Sequence, residues 1–77
     1  MIKFKLKSVD NSKYYYSFSG ALLYGIIVID KETSEIAFEE VDGLAKSDEK
    51  EKEKLLYIAK KKITSMDFPD SCIYATH

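Results

Sequence analysis

The alternation of apolar and polar positions at the start of the chain predicts a strand. Ile2, Phe4 and Leu6 fall on one side and Lys3, Lys5 and Lys7 on the other, so a strand over Ile2–Val9 sets one face on a core and one in water. Asp10-Asn11-Ser12 carries side chains that bond back to the backbone in a turn. Lys13–Phe18 restarts the two-residue period, with Tyr14, Tyr16 and Phe18 on one face and Tyr15 and Ser17 on the other. The two runs read as a hairpin. After Ser19-Gly20 the pattern changes. Leu22–Asp30 holds the most β-branched run of the chain, Tyr24-Gly25-Ile26-Ile27-Val28-Ile29, with no polar alternation, and reads as a central strand apolar on both faces. Gly25 inside it marks either a bulge or a place where an aromatic ring lies over the backbone.

Asp30–Ser34 closes a third turn, read as a type I turn followed by a left-handed residue. Ser34 stands where glycine would fit at about 1 kcal/mol less cost. A fourth strand, Glu35–Val41, then turns Ile36, Phe38 and Glu40 inward and Glu35, Ala37 and Glu39 outward. Glu39 and Glu40, adjacent on a strand, are expected on opposite faces and so form no carboxylate pair. Asp42-Gly43 ends the strand pattern and the period becomes helical. Ser47 is the expected N-cap, Asp48 and Glu49 lie in a first turn that favours acids, and the helix runs to about Met66. Leu55, Leu56, Ala59, Ile63 and Met66 make its apolar stripe, with Tyr57 and Ile58 at the edge. The turns before Leu55 have no apolar residue and are expected to project past the sheet or fray. Pro69 stops the helix, and the tail Cys72–Thr76 has the composition of a short fifth strand.

The predicted fold is α+β, in the order β-β-β-β-α-β. Three short turns make the first four strands an antiparallel meander, and the helix must return across one face to bury its stripe. The tail then falls antiparallel beside the first strand, for a sheet order of 4-3-2-1-5.

Length and composition narrow the class. Seventy-seven residues are expected to form a single domain, 1–77. No run approaches the roughly 18 apolar residues of a membrane span, and the Lys-interrupted N-terminus is no signal peptide. With a lone Cys72, the expected setting is cytoplasmic, without membrane contact. All 12 basic residues are Lys, and Arg, Trp and Gln are absent, a bias that suits an AT-rich bacterial or phage genome. The net charge of −1 hides a segregation: residues 1–29 carry +3, residues 30–53 carry −6 and residues 54–77 carry +2.

No pattern of catalytic chemistry emerges. The single histidine is the terminal His77, so neither a Ser/His/Asp nor a Cys/His arrangement is available. Cys72 and His77 lack two further ligands for a metal, and Cys72 reads as a small buried apolar residue. Gly20, Gly25 and Gly43 do not cluster into a phosphate loop. The expectation is a non-enzyme without metal or cofactor. Lys3, Lys5 and Lys7 with Tyr15 could serve a single-stranded nucleic acid by charge and stacking, but the acidic middle and the missing Arg oppose it.

The stronger signal is an imbalance of cover. One helix hides one face of a sheet, yet the central strand is apolar on both. Either Leu23, Ile27 and Ile29 face the helix while Tyr24, Ile26 and Val28 face out, or the reverse. The uncovered set would form an apolar strip between Lys3, Lys5 and Lys7 on one flank and Glu35 and Glu39 on the other, as an interaction surface does. The expected function is therefore binding of another protein, with self-association as a homodimer, through Tyr24, Ile26, Val28, Glu32, Glu35 and Glu39. An inhibitor or immunity-type protein, such as a phage anti-defence protein, is one concrete form. The alternatives are the nucleic-acid module and a structural subunit of a larger assembly.

Overall fold

The computed structural model describes residues 1–75. The predicted architecture is present: β1 (Ile2–Asp10), β2 (Lys13–Ser19), β3 (Tyr24–Asp30), β4 (Ile36–Asp42), α1 (Glu49–Ser65) and β5 (Ser71–Tyr74). All strand pairs are antiparallel, in the order β4-β3-β2-β1-β5. Thr76 of the expected fifth strand and His77 lie outside the described residues, and β5 starts one residue earlier than its composition suggested.

The helix covers one face. Leu55, Ala59 and Ile63 of α1 are buried with Phe4, Tyr16, Phe18, Leu23, Ile27, Ile29 and Cys72. The inward residues of neighbouring strands form continuous rungs, Phe4–Phe18–Gly25–Val41 and Leu6–Tyr16–Ile27–Phe38. Phe18 and Phe38 meet at 5.7 Å between ring centres in a tilted pair.

The expected boundaries shift where neighbours compete for one role. Asp48, not Ser47, is the N-cap, and its carboxylate accepts from the N–H groups of Lys50 and Glu51. Both residues can cap; at Asp48 the negative charge also meets the positive helix end. Lys52 pairs with Glu49 at 3.2 Å, one turn away. Leu22 precedes β3 rather than opening it and is partly exposed, while Leu23 is buried.

Met66 leaves the apolar stripe because the helix ends there. It is the C-cap and is exposed, and the chain closes in a Schellman arrangement: Phe68 N–H donates to Ile63 C=O and Asp67 N–H to Thr64 C=O. Asp67 and Phe68 both take positive φ, and the Phe68 ring packs against Tyr14 as a tilted pair with ring centres 4.8 Å apart.

The β3–β4 turn matches its expectation at Ser34, whose φ is 64°. Its N–H donates to Asp30 C=O, and the Asp30 carboxylate accepts from the N–H groups of Glu32 and Thr33. Ser34→Gly removes the penalty of a Cβ in this conformation. It is expected to raise stability by about 1 kcal/mol, read as an increased urea midpoint at unchanged slope.

Candidate protein-interaction face

The face of the sheet opposite α1 is built by the residues between the inward rungs. Three outward rungs can be followed strand by strand from β1 to β4: Lys3–Ser19–Tyr24–Asp42, Lys5–Ser17–Ile26–Glu40, and Ser8–Tyr15–Val28–Ala37. A fourth, Asp10–Lys13–Asp30, reaches β4 through the hydrogen bond from Asp30 N–H to Glu35 C=O. On the far side, Ile73 and Ser71 of β5 extend the Lys3 and Lys5 rungs.

Of the two orientations open to β3, the structure takes the first. Ile27 and Ile29 are fully buried beneath α1, whereas Tyr24 is 52% exposed and Ile26 and Val28 are half-buried on the open side. β3 is thus a strand with one buried face and one partly covered face, and the side chain nearest Val28 across the pair is Tyr15.

Two bulges shape the flanks. Between Ile26 and Ile27 the register to β4 shifts, so Ile27 faces Phe38 while Ile26 faces Glu40. Glu39 is the extra residue. Phe38 and Val41 point to the core, and Glu39 and Glu40 both fall between them on the open side, where both are exposed. This corrects the expectation that Glu40 turns inward and that the two acids are split across the sheet: period two fails wherever a residue is inserted. Gly25 itself pairs in register with Val41, and the inserted residue lies on the partner strand, between the partners of Ile26 and Ile27. The atoms nearest a Cβ built on Gly25 are the backbone of Glu40 and Val41. The second bulge, between Leu6 and Ser8, leaves Lys7 as the extra residue of β1. Lys7 joins Lys3 and Lys5 on the open side, and the two bulges flank the Leu6–Tyr16–Ile27–Phe38 rung from opposite sides.

The result is a face divided by charge. Lys3, Lys5 and Lys7 form one flank on β1, joined by Lys13 on β2. Glu35 sits before β4, and Glu39, Glu40 and Asp42 lie along it. Tyr15, Ile26 and Val28 occupy the middle. The flanks stand three strand spacings apart, about 14 Å, beyond the roughly 8 Å screening length of physiological salt, so they do not neutralise each other. None of Lys3, Lys5, Lys7, Lys13, Glu35, Glu39 and Glu40 makes an ion pair among the described residues; Asp42 has a loose one, 3.9 Å to Lys46. The Asp30 carboxyl is held below its ordinary value, chiefly by the backbone N–H of Glu32, with Thr33, Ser12 and Lys13 adding to the effect. Glu32 itself lies in the turn at the end of the face, not on it.

The structure therefore gathers Tyr24, Ile26, Val28, Glu35 and Glu39 on one surface, and also Lys3, Lys5, Lys7 and Tyr15. Glu40 and Asp42 belong to the same surface and were missed, because the inserted Glu39 reverses the parity of the residues after it. Among the described residues no three His, Cys, Asp or Glu side chains group as metal ligands, and no helix is long and apolar enough to cross a membrane. Comparison with protein-family models, curated proteins and solved structures yields no significant match, so the face is interpreted from its own geometry.

Proposed function

We propose that this protein is a non-enzymatic binding protein that engages another protein through the open face of its sheet. The supporting observation is the layered layout of that face, with Tyr15, Ile26 and Val28 between a lysine flank and a carboxylate flank. Apolar centres with charged rims suit protein surfaces, which also carry both signs. A nucleic acid would find four lysines and Tyr15 here, but its phosphates would also meet Glu35, Glu39, Glu40 and Asp42 on the same surface, which is repulsive. A small sheet-and-helix domain of this kind fits the role of an inhibitor or immunity-type protein, a bacterial or phage anti-defence protein included, which acts by covering the working surface of a larger protein.

The test is a photo-crosslinking side chain placed at Ala37, exposed on the β4 flank of the open face beside Val28, and separately at Tyr57, exposed on α1. In extract of the source cells, position 37 is expected to crosslink to protein, its own chain or a foreign one, and position 57 is not. Adducts with nucleic acid alone at position 37 would replace this reading by the nucleic-acid one. No adduct from position 37, or equal adducts from both positions, would remove the open face as the interaction surface.

A further inference from the structure

The open face is complementary to itself under one symmetry operation. Consider a two-fold axis lying in the plane between two facing sheets, parallel to the strands and midway between β2 and β3. It places β2 of one copy over β3 of the other, and β1 over β4, while keeping every residue at its own rung. The register then pairs unlike partners across the interface. Tyr15 covers the second copy's Val28, and Ser17 its Ile26. Lys3 falls opposite Asp42, Lys5 opposite Glu40, and Lys13 opposite Asp30. Lys7 and Glu39, the two bulge residues, lie on the strands that the axis superposes but on opposite sides of the Leu6–Tyr16–Ile27–Phe38 rung, one residue rise (~3.3 Å) apart, and so are neighbours rather than a directly opposed pair. One pair is unfavourable: Asp10 comes opposite Glu35 at the end of the face.

The other in-plane axis, running across the strands, stacks lysine on lysine and acid on acid. Charge thus chooses between the two ways of stacking this face on itself. We infer that the occupant of the open face is a second copy of this chain, docked sheet to sheet about the strand-parallel axis. This inference rests on the reading of the face as a protein-binding surface and names its partner. Facing sheets pack about 10 Å apart, a gap that a Lys and a Glu side chain span together. Their strands cross at about 30°, which displaces the flank residues by only a few Å from strict opposition. Four strands and four rungs offer about 450 Å² per protomer, at the lower limit of specific interfaces, so the dimer is weak and reversible.

The experiment is sedimentation equilibrium of the full chain at low and high salt, with charge-swap variants. The wild type is expected to dimerise at low salt and to dissociate as salt rises. Lys5→Glu and Glu40→Lys are each expected to weaken the dimer by about tenfold or more, because each creates two like-charge pairs across the axis. The double variant Lys5→Glu with Glu40→Lys restores unlike pairs and is expected to recover to within about threefold of wild type. A second measurement needs no variant: a carbodiimide crosslink on a mixture of isotopically light and heavy wild type should give mixed-label Lys5–Glu40 peptides. Three results would each overturn the inference: a strict monomer at millimolar concentration in low salt, single variants that dimerise like wild type, or a double variant whose losses add. A strict monomer whose position 37 still crosslinks to a foreign protein keeps the binding face and removes only the dimer. No crosslink from that position removes both.

Discussion

Gly25→Ala is expected to disrupt the β3–β4 pairing and to cost more than 3 kcal/mol. A Cβ at this position would collide with the carbonyl oxygen of Glu40, and would lie 2.8 Å from its carbonyl carbon and 3.1 Å from the Cα of Val41. All three atoms are backbone, so no side chain can turn aside to make room. The backbone φ of 151° is itself in a region that L-residues rarely adopt, which adds about 1–2 kcal/mol of strain. Relief requires β4 to move away from β3, which gives up the pairing at Gly25–Val41 and Ile26–Glu40 and opens the core at Phe38. A chain of this length has about 4–12 kcal/mol of total stability. The variant should therefore lose a large part of its urea midpoint or fail to fold, and a loss below about 1 kcal/mol would show that the two strands separate easily. The same residue matters for the interaction face, since the approach it permits is where Glu39 and Glu40 are brought together.

Most of the architecture could be read from period and turn chemistry. Ile2, Phe4 and Leu6 against Lys3, Lys5 and Lys7 specify both a strand and its inward side. The three short turns leave no room for anything but a meander, and the helix stripe has one sheet face to cover. The fifth strand then lands beside the first by direction alone. What escaped was decided by neighbours in space. Glu39 becomes an inserted residue next to the point where the β4 backbone passes close over Gly25, and nothing in Glu35–Val41 itself records that. Lys7 is inserted into β1 in the same way. Met66 has stripe spacing, yet the helix closes on itself there because Asp67 and Phe68 accept the left-handed conformation. The candidate face was legible as an excess of apolar residues on Leu22–Asp30, but its rung-by-rung pairing of Lys with acid depends on both bulges and so could be seen only in three dimensions. Glu32 was drawn to the face by its charge and lies instead in the turn that caps it.

Tyr16 is the second position where a single change is expected to be severe. The side chain is completely buried beneath α1, and its hydroxyl donates a 2.7 Å hydrogen bond to the carbonyl of Pro69, fifty-three residues away. That bond ties the helix exit to the centre of the sheet, beside the backbone bond from Leu6 N–H to Asp70 C=O. Tyr16→Phe keeps the ring but leaves the Pro69 carbonyl without its donor, at an expected cost of about 1–2 kcal/mol. Tyr16→Ala also opens a cavity in the middle of the core and is expected to cost about 3–5 kcal/mol, a large part of the stability of the domain. The two variants differ again in alkali. Burial raises the Tyr16 phenol well above its ordinary value of 10.0, with Cys72, Tyr14 and Asp70 adding to the effect. A group with a raised folded-state value contributes its full stability below the unfolded value and loses it as pH climbs toward the folded one. Wild-type stability should therefore fall above about pH 10, and Tyr16→Phe should remove that part of the slope while retaining a smaller fall that begins near 9.0, where the buried thiol of Cys72 is likewise pushed up. Urea unfolding at a series of alkaline pH values measures both effects, and parallel wild-type and Tyr16→Phe curves above pH 10 would show that the phenol ionises without opening the core.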